Sequence, residues 1–368
     1  MWFCKINLLK NHADYYTIVD SFFSYTLEEI FMADKIKRIA VLTSGGDAPG
    51  MNAVVRAVTR AAIDRGFEVI GIQRGYSGLI DGDFVRLTAH DVCDVVSRGG
   101  TMLYSARSTR FRTEEGREKA AQVCRDLDVC GIVTIGGDGT FAGASLLSKM
   151  GIPCVGIPAT IDNDISCSDH TVGFDTALNT AVECVDKIRD TSQSHDRCSI
   201  VEVMGNKSGY LAVDVALAIG ATAVLVPEVP FDFDIDVIGR IRKTMATGKQ
   251  HYIVVVSEGV ANIPSFKERI ESRLGVVTKH TILGHIQRGG APSARDRIFA
   301  SQLGVYAVDL LEKGVGDRVV VERSGEIVDI DIQEALKIRK RIDMRKYRQV
   351  YELSYTGLKR CPLSIDME

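Results

Sequence analysis

Short apolar runs in this chain end in turns rich in glycine and aspartate, and these turns constrain both the fold and the place of any chemistry. Ile39-Ala40-Val41-Leu42 leads into Thr43-Ser44-Gly45-Gly46-Asp47-Ala48-Pro49-Gly50, and a helical stretch follows from Met51 to Arg65. Gly131-Ile132-Val133-Thr134-Ile135 leads into Gly136-Gly137-Asp138-Gly139-Thr140, with a helix to about Lys149. Pro153-Cys154-Val155-Gly156-Ile157 leads into Pro158-Ala159-Thr160-Ile161-Asp162-Asn163-Asp164. Further strands are predicted at Glu68–Ile72, Ser199–Val203, Ala223–Val226 and Tyr252–Val256. Short buried strands alternating with helices imply βαβ units and parallel sheets covered on both faces. In such open α/β sheets, ligands bind at the carboxyl edge of the strands, where these turns fall.

Composition narrows the class further. A chain of 368 residues suffices for two ordinary domains or one large α/β unit. With 45% hydrophobic and 25% charged residues it is neither disordered nor fibrous. Lys+Arg number 45 against Asp+Glu 48, so no global positive field argues for nucleic acid or a membrane surface. No apolar run reaches the ~18 residues of a membrane span. The nine cysteines are scattered without a CxxC pair, which fits reduced thiols in a cytosolic core better than disulfides or zinc. Residues 1–34 lack periodicity and the h-region of a secretory signal, and are expected to be a leader or mis-started extension. Met32 follows Leu27-Glu28-Glu29-Ile30-Phe31 at a spacing suited to initiation, and is the expected native start.

A glycine turn entering a helix exposes backbone N–H groups beside the positive helix end, which suits phosphate. Gly45-Gly46 and Gly136–Gly139 both fit, although glycine at a βα turn is more often conformational relief. Neither matches a Walker loop or GxGxxG. Asp162 and Asp164, two residues apart after a strand, can face one pocket. Phosphoryl transfer needs one carboxylate on Mg²⁺ and one to accept the proton of the attacking hydroxyl. Asp138, Asp162 and Asp164 are candidates for these roles, against helix capping or solvated loop acids. Arg107, Arg197 and Arg288 lie in glycine- or serine-rich turns with His195 and His285, where a guanidinium can grip phosphate in bidentate fashion. The basic run Lys337-Ile338-Arg339-Lys340-Arg341 is read as a solvated helix face.

These motifs, with Val203-Met204-Gly205 and Gly284-His285-Ile286-Gln287-Arg288-Gly289-Gly290, resemble the bacterial 6-phosphofructokinase family in family order, from about Lys35 to Tyr355. The resemblance implies an α/β fold of two similar doubly wound domains with mainly parallel sheets and the active site in the cleft between them. The larger, nucleotide-binding domain would comprise 35–172 plus 286–336. The smaller, sugar-phosphate-binding domain would comprise 173–285 plus 337–358, leaving 359–368 as a tail. It implies transfer from MgATP to the 1-hydroxyl of fructose 6-phosphate in glycolysis, in a cytoplasmic homotetramer with no nucleic-acid or membrane partner. Gly46, Arg107, Ser108, Gly137, Asp138, Gly139 and Thr140 would surround the nucleotide, with Asp138 on Mg²⁺. Asp162 would be the base, with Thr160, Asp164 and Arg197 beside it in catalysis. Ile161, Met204, Gly205, Asn206, Glu258, Lys279, His285, Ile286, Gln287 and Arg288 would join Thr160, Asp162 and Arg197 around the sugar phosphate, some contributed by a neighbouring subunit.

The chain departs from the family pattern at several places. Asn206 and Lys279 stand where arginine is usual, so a charge and a bidentate fork are lost. Of the allosteric nucleotide set, Arg56, Arg60, Arg189 and Lys249 match, but Ala89, Thr222 and Thr247 replace Arg, Glu and Lys, and a weak response to ADP is expected. Relatives using pyrophosphate carry Asp and Lys where this chain has Gly139 and Ala159, which favours ATP. A pyrophosphate-dependent enzyme and a catalytically weak regulatory subunit are the alternatives.

Overall fold

The computed structural model describes residues 37–260 and 263–354, so the expectations for the leader, Met32 and the tail lie outside the described residues. The chain divides into Met1–Lys37 and Arg38–Glu368, and the architecture below belongs to the second. Its strands are β1 (Arg38–Thr43), β2 (Glu68–Ile72), β3 (Phe84–Leu87), β4 (Val129–Gly136), β5 (Cys154–Pro158), β6 (Cys198–Val203), β7 (Ala223–Leu225), β8 (Tyr252–Ser257), β9 (Thr278–Ile282), β10 (Arg318–Arg323) and β11 (Glu326–Asp331). Its α-helices are α1 (Met51–Asp64), α2 (Gly75–Asp81), α3 (Glu114–Asp126), α4 (Asp138–Ser148), α5 (Phe174–Ser194), α6 (Tyr210–Ile219), α7 (Arg240–Met245), α8 (Ile263–Leu274), α9 (Ala294–Glu312), α10 (Ile332–Lys337) and α11 (Met344–Leu353).

One sheet has the order β11-β10-β5-β4-β1-β2-β3 and the other β7-β8-β6-β9. The smaller sheet is parallel throughout, and the larger is parallel except at its edges, where β3 and β11 pair antiparallel. The α/β class with mainly parallel sheets is therefore as expected. Its cause is visible in β1. Ile39 and Val41 enter one apolar core while Ala40 and Leu42 enter the other, so a continuous apolar run is needed to satisfy both faces. Ile132 and Val133 of β4, and Cys154 and Val155 of β5, divide in the same way. Cys124, Cys154 and Cys198 are free, buried thiols that burial holds protonated, in keeping with core residues.

Strands β3, β9, β10 and β11 were not apparent in the sequence. Charged or polar residues interrupt each of them, as in Thr278-Lys279-His280-Thr281-Ile282, and three of the four lie at sheet edges where one flank need not be apolar. The run 337–341 is corrected too. Helix α10 ends at Lys337, residues 338–343 carry no regular structure, and Lys340 is half-buried with its ammonium bonded to backbone carbonyls.

Two helices are fastened at their amino ends by each other's acids. Helix α5 starts after Gly173, at φ 103°, which offers no side-chain cap. The cap comes from α9. The Asp296 carboxylate, 1% exposed, accepts from Gly173 N at 2.9 Å, Thr176 N at 2.8 Å and the Thr176 hydroxyl at 2.5 Å. In return the Ser293 hydroxyl, the cap of α9, donates to Asp175 at 2.5 Å. Asp296→Ala leaves two buried amides without acceptors and is expected to cost about 2–3 kcal/mol. A lowered urea midpoint reads this directly, and an unchanged midpoint contradicts it.

Candidate active site

Three parallel neighbours, β5, β4 and β1, bring their carboxyl-end turns side by side. The turns are bonded to one another. Ser44 N donates to Ile135 O at 2.9 Å, Ala159 N to Gly136 O at 3.0 Å, and the Thr140 hydroxyl to Ser44 O at 3.2 Å. Gly136 is required there, because a Cβ would lie 2.4 Å from Ser44 O. Gly137 caps α4 at its amino end, so Asp138, Gly139 and Thr140 form that helix's first turn. Backbone donors and the positive helix end thus face a cavity of about 680 Å³.

The cavity gathers most of the expected residues. Gly46, Arg107, Ser108 and Gly137–Thr140 line it, together with Thr160, Asp162, Asp164, Asn206, Glu258 and Arg288. Asn206 and Glu258 follow β6 and β8, so the carboxyl edges of both sheets contribute. Glu258 accepts from the backbone amides of Gly205 at 3.2 Å and Asn206 at 2.5 Å, which fixes that corner. Arg288 donates to Asp47 O at 3.2 Å, and a Cβ on Gly46 would meet its guanidinium at 2.5 Å. Over Gly139 the space is open for 4 Å.

Other expected residues are placed elsewhere. Ile161 and Met204 are buried in the core, and Gln287 is fully buried with its amide bonded to Met204 N and Gly284 O. Gln287 therefore ties the Met204–Gly205 turn to the Gly284 turn. His285 and Ile286 are exposed and do not line the cavity. Arg197 precedes β6, and Lys279 pairs with Ser199 near the start of β9. Both sit at the amino edge of the smaller sheet, one strand length from the cavity, and do not reach it within this chain. The effector set also divides. Arg56 and Arg60 on α1 share a shallow concavity with Ala89. Lys249 precedes β8 and feels the charge of Arg189 in a separate place.

Two aromatic residues escaped the sequence reading. Tyr76 and Phe111 stack with centroids 4.1 Å apart and 15° between planes, and both line the cavity. The Tyr76 hydroxyl donates to Thr140 O at 2.6 Å, joining this apolar wall to the glycine turn. No motif marks them, since each is one aromatic in an ordinary amphipathic stretch.

The three carboxyl groups are unusual electrostatically. Asp162 is 8% exposed, and its Oδ1 has no hydrogen-bond partner. Burial, then the charge of Asp164, push it up to about 6, against the opposing pull of Arg288. Asp138 is raised by burial and by Asp164, and Asp164 is raised by burial while the Asn206 side chain stabilises its anion. Asp164 is half-buried and Asp138 is exposed at the cavity wall, and their mutual repulsion is a setting that a divalent cation with phosphate oxygens would relieve. Among the described residues there is no cluster of three or more His, Cys, Asp or Glu side chains arranged to hold a metal.

The phosphofructokinase family model matches residues 38–311. The chain belongs to the phosphofructokinase family. It is 52% identical to ATP-dependent 6-phosphofructokinase 1 of Clostridium perfringens over 312 residues, covering 85% of this chain and 98% of that one. It is 51% identical to ATP-dependent 6-phosphofructokinase of Bacillus pumilus over 319 residues, covering 87% of this chain and all of that one. The solved phosphofructokinase of Saccharomyces cerevisiae superposes with a TM-score of 0.79 at 32% identity, covering 86% of this chain and 48% of that chain. This chain thus spans about half the length of the yeast one.

A carboxylate that must be ionised to accept a proton loses function as it protonates. With Asp162 in the proton-accepting role expected of it, the sign follows from its raised value: activity should be present above about pH 6 and fall below it. kcat/KM for the acceptor, which reports the free enzyme, should drop about tenfold per pH unit on that limb. A profile flat to pH 5 contradicts the assignment.

Proposed function

We propose that the chain is an ATP-dependent 6-phosphofructokinase, transferring the γ-phosphoryl group of MgATP to the 1-hydroxyl of fructose 6-phosphate in glycolysis. The observation that carries this reading is the buried, partnerless Asp162 oxygen in the same cavity as the glycine turn at the head of α4. The turn receives the phosphates of the donor, with Arg107 and Arg288 meeting their charge. Asp162 takes the proton of the attacking hydroxyl, and Thr160 and Asp164 flank that oxygen. Asp138 would hold Mg²⁺, whose charge would neutralise that of the phosphates. Positioning and charge neutralisation suffice for in-line transfer, and no covalent intermediate is needed.

Several finer assignments follow from the same reading. The open space over Gly139 leaves room for a nucleotide, and Ala159 puts no cation at the donor end, so ATP is favoured over pyrophosphate. The seven-stranded and four-stranded sheets are read as the cores of a nucleotide lobe (35–172, 286–336) and a sugar-phosphate lobe (173–285, 337–358). Arg197 and Lys279, too far from their own cavity, are assigned to the cavity of a second copy, in line with the cytoplasmic homotetramer that the family pattern implies. With only a partial cation set at the effector positions, the response to ADP is weak.

The test is transfer to fructose 6-phosphate with ATP or pyrophosphate as donor, in the parent and in Asp138→Ala. Turnover with ATP, and a Mg²⁺ dependence altered in the variant, are expected. Turnover with pyrophosphate alone, or with neither donor, overturns the reading.

A further inference from the structure

Asn163 separates Asp162 from Asp164 and is left-handed, at φ 50°. Asparagine tolerates that conformation better than most side chains, and bonds from its surroundings hold it there. Here the surroundings are specific. The Asn163 side-chain amide donates to Asp169 O at 3.2 Å, and the Thr171 hydroxyl donates to Thr160 O at 2.7 Å, so the loop closes on itself.

Lys340 passes into that closed loop from behind. Its ammonium donates to the backbone carbonyls of Asn163 at 3.1 Å, Ser168 at 3.2 Å and Asp169 at 3.3 Å. An ammonium has three N–H donors, and all are used. The Nζ also lies 4.8 Å from the centre of the Tyr210 ring, at the first residue of α6 on the smaller sheet's side. The carbonyl it holds on Asn163 belongs to the peptide that joins Asn163 to Asp164. Fixing that plane fixes the backbone on which Asp164 sits and holds the turn that separates it from Asp162. Lys340 itself is not among the residues lining the cavity.

We propose that Lys340 is a positioning residue for phosphoryl transfer: its ammonium locks the Asn163 turn and thereby aims Asp162 and Asp164 at the acceptor hydroxyl. This rests on the function proposed above only for the identity of the reaction. The lysine bonds backbone carbonyls and its charge also favours the Asp164 anion, so a neutral side chain of similar length removes both effects, and hydrogen exchange reads the lock alone.

The test compares K340M and K340R with the parent in two ways. Loosening of the turn by a fraction of an ångström should lower kcat of K340M by about 10–100-fold, with the dissociation constant for MgATP and KM for fructose 6-phosphate within about threefold. K340R, which keeps the charge, should recover most of kcat. Independently of any activity, amide hydrogen exchange in the peptide spanning 160–171 should quicken in K340M and not in K340R. K340Q makes the same comparison where K340M does not fold. Unchanged exchange in K340M, kcat within about threefold of the parent, or a kcat loss matched by an equal loss of ATP affinity overturns the proposal. A parent that exchanges as expected yet transfers no phosphate to fructose 6-phosphate refutes the proposed function and leaves the lock standing.

Discussion

The lateral pairing of β5, β4 and β1 is the constraint on which the site depends. Parallel neighbours in register end at the same edge, so their turns are delivered together with no further design. Backbone bonds between Ser44 and Ile135 and between Ala159 and Gly136 then carry the pairing past the strand ends into the turns themselves. Shifting β4 by one residue would exchange its core faces and move Gly136 and Asp138 away from the carboxylate turn. Burial of the alternating residues of β4 in two cores forbids that shift. The apolar sheet interior therefore determines a polar geometry on its rim.

That rim is electrostatically costly when no ligand is bound. Three acids, Asp138, Asp162 and Asp164, repel one another across the rim, with Asp162 buried, Asp164 half-buried and Asp138 exposed, and lost solvation is the leading cause of the upward shift in each. Arg288 opposes the effect at Asp162, and Arg339 does so at Asp138. A cation is what such a rim lacks, and under the proposed function a metal-bound nucleotide would bring one. The uneven support is also informative. Glu258 spends its carboxylate on two backbone amides and shapes the site, whereas Asp162 keeps an oxygen without a partner.

Much of this was legible in the sequence, for a definite reason. Strands β1, β4 and β5 are buried on both faces, so they read as unbroken apolar runs, and the turns behind them stand out by contrast. Strands β3, β9 and β11 lie at edges and carry charge, so they left no comparable signal. The residues expected around a nucleotide come together in one cavity because they sit within one contiguous motif each. Arg197, Lys279 and His285 were grouped with the cavity by family pattern alone, and the parallel register puts the first two at the opposite edge of their sheet. Tyr76, Phe111 and Lys340 were missed because their roles arise from long-range packing. Lys340 in particular lies inside a basic run that looks solvated until the loop it penetrates is folded.

The central claim is that Asp162 is the proton acceptor in a transfer for which the rest of the cavity supplies position and charge. The most direct measurement is kcat of Asp162→Asn at saturating fructose 6-phosphate and MgATP. The substitution keeps the shape of the side chain and removes its basicity. Loss of a carboxylate base predicts a fall of about 10²–10⁴-fold with acceptor binding nearly unchanged. A variant whose kcat stays within about threefold of the parent would contradict the claim.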